Sequence, residues 1–162
     1  MLKTHHRLAL LVVSALVLAL PLANAADRTF TAELTGAAHQ PKPIDTKAKG
    51  TAEFRLSADG KLTYKVTLKD IDSPTDADLH LGPAFANGPM IVKLFPAKGS
   101  GPAPKGPFSG VLAEGTITAA DFQGSMQGAP LSDLVEEIAA GNAYVNVHTA
   151  ANRQGEIRGQ IK

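Results

Sequence analysis

The sequence predicts an all-β protein, an antiparallel β-sandwich or barrel carrying one or two short helices. Three observations predict it. Apolar residues alternate with polar ones along several short stretches, the period of a strand that buries one face. Gly-, Pro- and Asp-containing turns separate those stretches, as in a sandwich or barrel. Helical periodicity is confined to the region after residue 118. A Greek-key arrangement, with a superoxide-dismutase-like sandwich as one version, accommodates such strands.

Each element follows from its pattern. Phe30, Ala32 and Leu34 alternate with Thr29, Thr31 and Glu33 in a first strand. Ala52, Phe54 and Leu56 mark a second, and Asp59-Gly60 then supplies a tight turn. Leu62, Tyr64, Val66 and Leu68 alternate with Thr63, Lys65, Thr67 and Lys69, so residues 51–69 read as a hairpin with one wet face. In Asp78-Leu79-His80-Leu81, Ala77, Leu79 and Leu81 point one way and Asp78 and His80 the other. Residues 90–95 read as a further strand, and 114–118 and 156–161 as weaker ones. The stretch 96–110, rich in Gly, Pro and Lys, reads as an irregular surface loop. Thr118 to Asp121 resembles a helix-capping arrangement. Leu131, Leu134, Val135 and Ile138 fall on one face of a helix that Gly141 is placed to end. In Tyr144-Val145-Asn146-Val147-His148, the valines oppose Tyr144, Asn146 and His148.

The first 25 residues read as an export signal. Lys3 and Arg7 precede an apolar run, Leu8 to Leu20, of 13 residues, short of the ~20 that span a bilayer. Ala23-Asn24-Ala25 then offers a signal-peptidase site, with cleavage expected after Ala25. The expectation is a periplasmic or secreted protein with a single domain over residues 26–162 and no membrane attachment after cleavage. The absence of cysteine excludes disulfides, thiolate metal sites and an acylated-cysteine anchor. The mature chain carries 14 Lys and Arg against 15 acidic residues, a charge of −1 that leaves no footprint for nucleic acid. The lysines of residues 98–105 lack the interleaved aromatics of a nucleic-acid surface. No nucleophile elbow, phosphate-cradling loop or dinucleotide fingerprint occurs.

Several motifs, in order, carry a family resemblance. Gly50-Thr51-Ala52-x-Phe54 is followed by Asp59-Gly60-x-Leu62-x-Tyr64-x-Val66, then by His80-Leu81-Gly82-Pro83-Ala84-x-Ala86-Asn87-Gly88-Pro89. Gly141-Asn142-Ala143-Tyr144-Val145-Asn146-Val147-His148-Thr149 and Gly155-Glu156-Ile157-Arg158-Gly159-Gln160-Ile161 complete the series. The whole resembles the CHRD domain, named after chordin, across residues 29–162. That resemblance implies an exported all-β module without an established catalytic activity. The family pattern commonly reads Ala-His-x-His-x-Gly-Pro at the first site, and this chain places Asp78 where the first histidine stands.

The candidate chemistry lies on the polar faces of the two His-bearing strands. If those strands are neighbours, Asp78, His80 and His148 form a cluster with the donor types of a metal site, and Asn146 and His39 are further candidates. Two imidazoles and a carboxylate suit copper or zinc. The plain structural alternative is that His80 and His148 hydrogen-bond across the strands and fix the sheet. A superoxide-dismutase-like copper enzyme is the catalytic alternative, but a bridged copper–zinc pair needs more imidazoles than His39, His80 and His148 supply. A third reading is a protein partner on the exposed Lys/Thr face of the Leu62–Leu68 strand. The segment from Gly82 to Pro89 reads either as the rim of a small-ligand site or as a connection with Phe85 covering the sheet.

Overall fold

In the computed structural model, residues 27–162 are described, so the export-signal expectation lies outside the described residues. Eight antiparallel strands form one sheet: β1 (Arg28–Thr35), β2 (Lys49–Leu56), β3 (Leu62–Asp72), β4 (Pro74–Leu81), β5 (Met90–Phe95), β6 (Pro107–Ile117), β7 (Ala143–Thr149) and β8 (Ile157–Gln160). Their spatial order is β5-β4-β7-β8-β1-β2-β3-β6. The sheet curls on itself into a nearly closed barrel, and Tyr64 on β3 donates across it to the Leu94 carbonyl of β5 (2.8 Å). The fold is all-β.

The interior is filled by the alternating apolar residues. Phe30, Ala32 and Leu34 of β1 meet Ala52 and Phe54 of β2 and Leu62, Val66 and Leu68 of β3, all buried. Gly60 adopts a positive φ (81°) in the β2–β3 turn, where a residue with a Cβ would be strained. The one α-helix, α1 (Leu131–Ala139), buries Leu134, Val135 and Ile138 and ends at Gly141, whose φ is +70°. Thr118 leads only a single 3₁₀ turn, with the Asp121 carboxylate accepting from its backbone N–H and its hydroxyl (both 2.8 Å). No helix among the described residues is long and apolar enough to cross a membrane.

The stretch 96–110 is only partly irregular. β6 starts at Pro107, and its pairing with β3 shifts register twice, between Val66 and Thr67 and between Leu68 and Ile71. Gly106 and Gly110 mask this strand in the sequence, yet both sit at positive φ (78° and 146°) where the chain bends into it. Another difference concerns Phe85. It does not cover the sheet but stands at the tip of its loop, 88% exposed.

Candidate metal centre

The two His-bearing strands are neighbours. β4 pairs with β7 in a register that sets Asp76 opposite His148, Asp78 opposite Asn146, and His80 opposite Tyr144. Residues directly opposite share a face, so the six side chains rise on the same side of the sheet. The row continues outwards, with Lys93 of β5 beside Asp78 and Arg158 of β8 beside Asn146. Val145, Val147, Ala77 and Leu79 take the other side and are buried in the core.

This second face is polar but largely closed to water. Asp78, Asn146 and Arg158 are buried, and His80 and His148 are half-buried. The cover comes from two loops. Residues 82–89 lie over one end, held by Arg158, which donates to the carbonyls of Pro83 (3.0 Å) and Ala86 (2.8 Å) and to Asn87 Oδ1 (3.2 Å). Residues 152–155 lie over the other. There Gly155 leaves room for the Asn146 amide, with which a Cβ would collide. The Glu156 carboxylate pins this loop, accepting from Thr46 (2.7 Å), Thr149 (2.7 Å) and Asn152 (2.9 Å).

Asp78, His80 and His148 each aim one ligand atom into a common space, and the three atoms lie within 4.8 Å of one another. Ligands about 2.0–2.2 Å from a tetrahedral ion sit about 3.3–3.6 Å from one another, so the cluster would draw in by about 1 Å at its widest to hold one. Both imidazoles are oriented from behind. His80 Nδ1 faces the Gly88 carbonyl (3.0 Å) and His148 Nδ1 the Arg153 carbonyl (2.9 Å). A carbonyl only accepts, so each Nδ1 carries its proton and each Nε2 turns to the cluster, the usual support of a metal-bound histidine.

The electrostatics of the two histidines differ. Burial lowers the pKa of His80, more than the Gly88 carbonyl and Asp78 raise it. Its ring is therefore neutral, and Nε2 is a bare lone pair, buried and without a partner. For His148 burial also acts downwards, but the Asp78 hydrogen bond, the Arg153 carbonyl and the charges of Asp78 and Asp76 outweigh it, so its pKa rises. His148 Nε2 stands 3.2 Å from Asp78 Oδ2 and 3.3 Å from Asn146 Nδ2. A proton on Nε2 satisfies the carboxylate and opposes the amide donor, and its loss does the reverse. Lys93 Nζ pairs with Asp76 (2.8 Å) and lies 3.2 Å from Asp78 Oδ1, which accepts no well-directed hydrogen bond.

Asn146 and His39 occupy different places from the three. Asn146 directs Nδ2 towards His148 and the Gln154 carbonyl (3.2 Å), so it braces the cluster from the side. His39 is buried behind the loop, with Nδ1 on the Lys42 carbonyl (3.0 Å) and Nε2 on that of Gln154 (3.4 Å). The structure brings Asp78, His80 and His148 together and leaves His39 outside.

Sequence reading passed over Arg158, Tyr144, Lys93 and Glu156. Tyr144 stacks on His80 (ring centroids 4.9 Å apart, planes 12° apart), and its hydroxyl accepts from the Gly88 N–H (3.0 Å). The Arg158 guanidinium lies 3.6 Å from the centre of the Tyr144 ring. The sequence offers only an arginine between Ile157 and Gly159 on a short strand; its pairing with Asn146 on a buried face is set by the β7–β8 register.

With this geometry in view, comparison with protein families returns the CHRD domain, matched over residues 30–161. The chain belongs to the CHRD domain family. The match spans the eight-stranded barrel almost entirely, with the His/Asp cluster and the two loops over it. Comparison with curated proteins and with solved structures gave no significant match. Membership in the CHRD family supports a structural or binding module.

Proposed function

We propose that this CHRD domain is an exported binding module, without catalysis of its own, that holds a single copper or zinc ion between Asp78, His80 and His148. The carrying observation is His80 Nε2: a neutral, buried imidazole nitrogen, locked as an acceptor by the Gly88 carbonyl and left with no donor. An orphaned buried acceptor costs free energy, on the order of 1–3 kcal/mol, which a bound cation would recover. A carboxylate and a second imidazole aimed at the same space supply the remaining donors of a three-ligand site. The oxygen and nitrogen donors fit zinc or copper(II) better than magnesium or calcium, which favour oxygen alone.

The superoxide-dismutase-like reading draws no support from the cluster. It holds two imidazoles, and His39 is engaged elsewhere. The experiment is the metal content of untagged protein recovered from its export compartment, set beside a His80→Ala/His148→Ala double variant. About one equivalent of copper or zinc in the wild type and none in the variant is expected. A wild type without stoichiometric metal, combined with equal binding of titrated zinc and copper by both proteins, would falsify the proposal.

A further inference from the structure

The side chain that organises the centre without touching a candidate ligand is Arg158. It is 2% exposed and no carboxylate pairs with it among the described residues. A buried charge with no counter-ion is costly, so its hydrogen bonds must do something that an apolar residue could not. All three go to one loop. The planar fork spans Pro83, Ala86 and Asn87, which belong to an otherwise irregular, exposed segment. At the end of that segment stands Gly88, whose carbonyl fixes the His80 ring and whose N–H meets the Tyr144 hydroxyl. Only glycine fits at this position, because a Cβ there would overlap the Leu81 carbonyl. Arg158 also lies over Tyr144 from the β8 side while His80 stacks on it from the β4 side.

We propose that Arg158 is a positioning residue for His80: through the 82–89 loop and the Tyr144 ring it fixes the imidazole with Nδ1 protonated and Nε2 bare. The consequence for metal affinity rests on the function proposed above, whereas the consequence for the ring itself does not. Two mechanisms make opposite predictions. As a mere charge near the cluster, Arg158 repels a cation, and its removal tightens metal binding. As a positioning group, its removal weakens binding although a repelling charge has gone.

The test uses Arg158→Met and Arg158→Lys in the full mature chain, with two measurements. In the metal-free protein, long-range proton–nitrogen NMR of the His80 ring reads which nitrogen is protonated. The wild type is expected to show Nδ1–H alone and both variants a mixture, since lysine keeps the charge but cannot span three acceptors. Zinc titration then reads affinity, with a loss of about 10- to 100-fold expected in both variants, as for other outer groups that orient ligands. If Arg158→Met does not fold, Arg158→Lys decides. A single Nδ1–H form retained in the folded variants overturns the proposal, and so does tighter zinc binding. Absence of zinc binding in the wild type removes the function proposed above and leaves the NMR result to judge Arg158.

Discussion

The two halves of the barrel wall are built from the same alternation and put it to different uses. In the β1-β2-β3-β6 half, the outward residues are mostly Thr, Lys, Glu and Arg in water, and Lys65 approaches Glu114 at 3.7 Å with both side chains more than half exposed. Such pairs contribute little, and the residues there serve to keep the sheet wetted on one side. In the β5-β4-β7-β8 half, the outward residues are Lys93, Asp78, Asn146 and Arg158 in one row, and the last three are buried. Polar residues on an outer face have no special meaning until they are closed off. Burial makes each unpaired donor or acceptor costly, and among the described residues three of the four orphaned buried polar atoms belong to Asp78, His80 and Asn146.

The sharpest way to break this comparison is to remove one carboxylate from each half. Asp78→Ala is expected to weaken zinc binding by more than about 100-fold, since it deletes one of the three proposed ligands rather than one of the outer groups that carry about 10–100-fold. Glu114→Ala, on the wetted half, is expected to leave zinc affinity unchanged and stability within about 0.5 kcal/mol. Calorimetric titration of both variants checks it. Equal affinities would mean that the closed polar face is only a structural seam.

A subtler effect lies within the closed half and has opposite signs at its two histidines. His148 holds its proton more tightly in the folded chain than in the unfolded one, because the Asp78 and Arg153 contacts overcome burial. Its contribution is therefore complete below the ordinary histidine value of 6.5 and is lost as pH rises through its raised folded value. His80, whose pKa is lowered chiefly by burial, does the reverse: the unfolded chain takes up the proton first, so the fold weakens as pH falls below 6.5. In metal-free protein, the stability lost in His148→Gln should therefore shrink from about pH 5 to about pH 8, while any loss in His80→Gln should grow. Thermal denaturation across that range reads both, and parallel slopes would contradict the assignment of one neutral and one ion-paired imidazole.

Much of this was legible in the sequence because alternation is a local property. Leu62 to Leu68 announces both its buried and its wet side, and Asp59-Gly60 announces the turn before it. Asp78, His80 and His148 were legible as one face each of two strands, and the β4–β7 register joins those faces. What covers them was not legible, since Arg158 reaches loop residues 71 to 75 positions away in the chain. The start of β6 was hidden for another reason. Its glycines provide the bends and register shifts of an irregular edge strand, and in a sequence such residues read as a loop.

The smallest expected effect separates the loop's backbone from its most conspicuous side chain. Phe85 crowns the 82–89 segment yet is 88% exposed, and a single exposed aromatic contributes little to a fold. The contacts that fix the loop run instead to the Pro83 and Ala86 carbonyls, to Asn87 Oδ1, and from Gln160 to the Gly82 carbonyl (2.9 Å). Phe85→Ser should therefore alter stability by no more than about 0.5 kcal/mol and leave zinc affinity as it is. Thermal denaturation and zinc titration of that variant, run beside Arg158→Lys, read the contrast directly. A marked loss of affinity in Phe85→Ser would transfer control of the loop from the buried arginine beneath it to the ring at its tip.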